Sequence, residues 1–178
     1  MYIAVNSNGL IVAMSDTPIF MANTETFNVD IPHEHPILDD LGGWHYTDSV
    51  LHNDEAYLLE ELRASKMIEF NMRCQETIEA GFDYEYEGTV YHFSLDTQAQ
   101  QNFSDSYQLL KDRTIQDVAW TVKVNGEYSR LVIDFDMMQE ISHLIFLHKT
   151  NNIAKFRDIL MPIVNDATTQ EELGEIVW

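Results

Sequence analysis

The feature that most constrains this chain is a helix–hairpin–helix pattern over residues 55–112, centred on 76–103. A long helical periodicity runs into Ala80-Gly81. A period-two aromatic stretch follows, with Glu87-Gly88 at its turn, and a second helix opens at Asp96-Thr97. Such a switch from period 3.6 to period 2 and back, punctuated by glycine, calls for two strands that pair with each other and lay one apolar face on helices.

The first helix, expected over 54–80, has more apolar positions than one stripe can hold. Ala56, Leu59, Met67, Phe70, Cys74 and Ile78 recur at helical spacing and share a face. Leu58, Leu62, Ile68 and Met72 fall on roughly the opposite side. A surface helix needs only one apolar stripe, so two imply cover on both sides: one by the helix's own domain, the other by a second layer or another subunit. Leu59, Met67, Phe70, Cys74 and Ile78 are the candidate partner-interface residues on this reading. Glu69 and Arg73 are placed to pair at i,i+4, and Gly81 to end the helix.

In the hairpin, Phe82, Tyr84 and Tyr86 alternate with Asp83, Glu85 and Glu87, and Tyr91, Phe93 and Leu95 with Val90, His92 and Ser94. This predicts a half-buried hairpin rather than a stacking platform for bases, which would come with a basic groove. The next helix has capping-box spacing at Thr97 and Gln100, with Asp96 as an alternative N-cap. A second hairpin is predicted over 118–133 around Asn125-Gly126. A helix from about 137 to 160 follows, capped by Asp136 and Gln139, and Pro162 is expected to kink or end it. Thr168 and Glu171 would cap a last short helix.

Upstream, residues 2–15 read as a hairpin turning at Asn8-Gly9. Residues 27–31 read as a strand and 32–43 as a loop. Residues 44–46 and 50–51 read as a small hairpin across Thr47-Asp48-Ser49. The expected class is α+β: an N-terminal β module over 1–53, then a domain over 54–178 of long helix, hairpin, helix, second hairpin and C-terminal helices.

Among 178 residues, thirty acids face ten bases, a formal charge of −20. With the bases scattered singly along the chain, such a surface repels a duplex or an anionic membrane, so neither is an expected partner. The one cysteine, Cys74, cannot form an internal disulfide and reads as a small buried hydrophobe. The opening residues lack the pattern of a signal peptide, and the run 144–147 is too short to span a bilayer. The reading is of a soluble protein made in a reducing compartment.

Catalytic chemistry finds little support. His33-Glu34-His35 is the most ligand-like cluster, but prolines flank it and no third ligand follows by spacing. His143 and His148 do not share a helix face well. HExxH, GxSxG, GxGxxG and P-loop patterns are absent. No catalytic, cofactor or metal residues are assigned; a small metal-dependent hydrolase using His33, Glu34 or His35 is the least favoured alternative.

The order Gly81-Phe82, Tyr91-His92-Phe93, Asp96-Thr97 and Gln100-x-Asn102, followed by Trp120 and by residues 167–173 (ATTQEEL), resembles phage tail proteins that carry a widespread domain of unknown function. The likeness covers about residues 55–178. Ala99-Gln100 stands where the family's second helix typically opens with Asp-Gln. The N-terminal module is similar to the openings of tail-fibre and tail-fibre-assembly proteins. The resemblance implies a non-enzymatic tail, baseplate or fibre-connecting component, located in the virion and made in the host cytoplasm. It would bind other tail or fibre proteins and self-associate. A tail-fibre assembly chaperone is the alternative.

Overall fold

The structure, a computed structural model, describes residues 1–178 and has an α+β fold. The chain divides into two units, residues 1–65 with 167–175, and residues 66–166 with 176–178. The division thus falls inside the long helix rather than at its start, and residues 167–175 belong with the first unit.

In the first unit, strands β1 (Tyr2–Asn6), β2 (Ile11–Ser15) and β3 (Thr24–Asn28) form an antiparallel sheet in the order β2-β1-β3. Only Gly9 takes a positive φ in the first turn, at 82°. The Asn6 side chain holds that turn by accepting from the N–H groups of Asn8 and Leu10, at 2.9 and 3.1 Å. The turn is therefore an Asx-type loop across Ser7-Asn8-Gly9, in which Asn8 does not take up the positive φ that an Asn-Gly pair allows. β3 begins earlier than its apolar residues suggest, because Thr24, Glu25 and Thr26 pair with β1 along an exposed edge where polar side chains cost little. Within the expected loop, Pro36–Leu38 form a 3-10 turn that buries Ile37 beside Ile3, Val5 and Ile11. Strands β4 (Trp44–Thr47) and β5 (Val50–Asn53) pair across Asp48 and Ser49, both at positive φ as a type I′ turn requires.

Helix α1 (Glu55–Ala80) supplies residues to both units. Asp54 caps it, accepting from Tyr57 N–H at 2.9 Å. Gly43, at φ +72, leaves room for Leu58: a Cβ there would lie 2.4 Å from the Leu58 side chain. The expected Glu69–Arg73 pair is absent, since Arg73 reaches forward to Glu76 at 3.2 Å and Lys66 lies 3.6 Å from Glu69.

In the second unit, β6 (Phe82–Tyr86), β7 (Thr89–Phe93), β8 (Asp117–Val124) and β9 (Glu127–Asp134) form an antiparallel meander in sequence order. Turns with positive φ at both Glu87-Gly88 and Asn125-Gly126 join its hairpins. One sheet face packs Tyr84, Phe93, Val122, Leu131 and Ile133 against helices α1, α2 (Thr97–Lys111) and α3 (Phe135–Ala154). Phe103 of α2 stacks on Trp120 with ring centroids 4.0 Å apart. The other face exposes Thr121, Lys123, Tyr128, Arg130 and Val132.

Helix starts differ from expectation by a residue or two. Asp96 caps α2, accepting from Ala99 N–H at 2.7 Å, while Gln100 turns back to the Leu95 carbonyl at 2.9 Å. Asp134, not Asp136, caps α3 through Met137 N–H at 2.9 Å. In both cases the extended residue closing the preceding strand or loop carries the acceptor. Helix α4 (Met161–Asp166) contains Pro162, yet the helical path does not stop there. A π-helical stretch, Lys155–Leu160, widens the hydrogen-bond register just ahead of the proline, where its ring and missing N–H would break an ordinary i−4 bond. Before helix α5 (Gln170–Glu175), the box is Thr169 and Glu172. Glu172 accepts from Thr168 and Thr169, which holds its carboxyl below the usual range.

Candidate functional site

The long helix divides its apolar residues by exposure. Phe70, Cys74 and Ile78 are buried, Cys74 at 5% exposure, and Leu59 and Met67 are half-buried. Cys74 and Ile78 join the second unit's core with Tyr84, Phe93 and Met138. Of the five candidate interface residues, three are therefore occupied within the chain itself. On the opposite side Ile68 is 63% exposed and Met72 56%, while Leu58 and Leu62 are half-buried. Phe146 on α3 is 61% exposed. Apolar side chains exposed on these helices thus include Ile68, Met72 and Phe146, with Leu147 and Ile153 less so, and Phe146 was not singled out by periodicity.

A small pocket lies between α1, α2 and α3, with a volume of about 250 Å³. Cys74 and Ile78 border it from α1, Gln100 from α2, and Lys149, Ile153, Phe156 and Arg157 from α3 and its π-helical continuation. Lys149 Nζ donates to Gln100 Oε1 at 2.7 Å. Burial pushes the Cys74 thiol up, and the nearby Arg157 guanidinium pulls the other way with smaller effect. A thiol so placed is a packing group rather than a nucleophile. His148 sits one turn away, its Nε2 at 3.1 Å from the Thr77 carbonyl.

The aromatic hairpin is a packing element. Tyr84 and Phe93 are buried, and the Phe82 and Phe93 rings stack 5.6 Å apart. The Tyr84 hydroxyl donates to Glu140 at 2.9 Å; burial, then this bond to a carboxylate, push its pKa up to about 12. In the first unit, His33 and Glu34 are exposed, whereas His35 accepts from Ile37 N–H at 3.3 Å and packs its ring against Trp44. His35 is thus engaged in shaping the 3-10 turn, and no three His, Cys, Asp or Glu side chains converge to form a metal-binding group. No helix is long and apolar enough to cross a membrane.

The geometry defines an α+β protein with exposed apolar side chains on its helices and a pocket lined by two cations, Lys149 and Arg157. Residues 61–177 match the family described as Domain of unknown function (DUF4376), and the chain belongs to that family. No curated protein and no solved structure matches it.

Proposed function

We propose that the chain is a non-enzymatic structural component of a bacteriophage tail or tail-like particle, a baseplate or fibre connector that acts through protein–protein contacts. The observation that carries this reading is the motif order from Gly81-Phe82 to Gln100-x-Asn102, which resembles tail proteins and falls inside the matched domain. The exposed pair Ile68 and Met72 supports it: apolar side chains one helical turn apart form a patch that a partner can cover. The partners in this reading are other tail, baseplate or fibre proteins and further copies of the chain.

The test is quantitative mass spectrometry of purified particles from a host producing them. The proposal expects the chain in fixed stoichiometry with the other tail components. Its presence in the lysate, bound to a fibre protein but absent from finished particles, would replace the structural role with that of an assembly chaperone.

A further inference from the structure

Ten bases serve 178 residues, and most have an evident local use. Arg63 and Arg73 pair with glutamates on their own helix, and Lys155 lies over the Trp178 ring at 4.4 Å. Lys149 and Arg157 are set apart by sharing one pocket. Both line the pocket between α1, α2 and α3, and neither has a carboxylate within ion-pair distance despite thirty acids in the chain.

We propose that this pocket binds a small oxyanion, a carboxylate or a phosphate, between the Lys149 ammonium and the Arg157 guanidinium. No acidic residue lines it; its polar walls are the amides of Asn71, Gln75 and Gln100. Lys149 spends one N–H on Gln100, whose own amide is tied to the Leu95 carbonyl, so the ammonium is fixed with two donors left. Arg157 adds a planar fork suited to two oxygens of one anion. The π-helical stretch matters here. Eight residues on an ideal helix leave two side chains ~80° apart, and slower rotation through a π turn swings Arg157 back toward Lys149. Opposing charge elsewhere on the surface is screened beyond about 8 Å in physiological salt, so the local pair governs the site. The inference goes beyond the particle role and does not depend on it.

The experiment is a titration of the full ¹⁵N-labelled chain with sodium phosphate and, separately, sodium acetate, against chloride at constant ionic strength. The readouts are the Arg157 Nε–H and Gln100 side-chain amide resonances. A saturable shift with either oxyanion and none with chloride is expected. Arg157 is exposed, so Arg157→Gln keeps the fold, and it should weaken binding about tenfold or more by removing charge-assisted donors. Lys149→Gln should act in the same direction. Saturation by acetate alone points to an acidic side chain of a partner as the natural source; saturation by phosphate alone points to a phosphate group. Linear, chloride-like shifts with both anions, or unchanged titration of both variants, would overturn the assignment.

Discussion

The two sides of α1 beyond Lys66 carry similar residues and have opposite fates. Cys74 and Ile78 are sealed into the core of the second unit and Phe70 is fully buried near Trp178, whereas Ile68 and Met72 stand in solvent. Hydrophobicity alone does not separate them; contact with the sheet and α3 does. The buried side therefore carries stability, and the open side is free to carry binding. Burying a large apolar side chain contributes about 1.5–3 kcal/mol, while an exposed one contributes little until a partner covers it.

Four outcomes would sharpen or break that contrast. The largest effect belongs to Gly81, where α1 meets the hairpin. It holds φ +96, and a Cβ would lie 1.8 Å from the Phe93 carbonyl oxygen. Gly81→Ala should remove most of the ~5–15 kcal/mol that holds a typical domain together, seen as loss of a cooperative denaturant transition. Phe70→Ala should cost about 3–5 kcal/mol in the same measurement; a loss under 1 kcal/mol would mean that the buried side is not the stabilising one.

Tyr84 offers a smaller and pH-dependent effect. Its folded pKa is raised to about 12 from about 10 when unfolded. The stabilisation is fully present below pH ~10 and is lost as pH rises toward ~12, a total of roughly 3 kcal/mol. Tyr84→Phe should flatten the stability profile between those limits. The smallest stability change is expected from Ile68→Ser combined with Met72→Ser, within about 0.5 kcal/mol for each surface position. If the open side serves a partner, the same double variant should nevertheless be lost from purified particles or fail to co-purify with tail components.

Much of the fold was legible where local chemistry decides it. Glu87-Gly88 and Asn125-Gly126 mark their turns because the backbone there must adopt positive φ. The alternation from Phe82 to Phe93 marks a half-covered sheet because side chains in a strand alternate faces. Capping residues were harder to place. Near each helix start several acids or hydroxyls compete, and the direction from which the preceding segment arrives selects Asp96, Asp134 and Thr169. Of the two outcomes expected at Pro162, a kink or an end, the helix does not end there: the proline's cost in a regular helix is real, but the π-helical stretch before it changes the register that the proline would break.

The open surface and the pocket were only half visible. Periodicity sorted α1 into two stripes, then assigned partner contact to Leu59, Met67, Phe70, Cys74 and Ile78, a set whose last three members the fold uses internally. Which stripe faces inward depends on the sheet and on α3, elements distant along the chain. Lys149 and Arg157 looked like scattered bases because nothing local reveals the π turn, or the Gln100 side chain brought from another helix. By itself the sequence determined the order of elements, their turns and the doubly apolar character of α1, since these follow from short-range sterics and periodicity. Tertiary structure alone decided which apolar side is buried and which side chains from α1 and α2 complete the pocket lined by Lys149 and Arg157, because both are set by contacts between segments far apart in the chain.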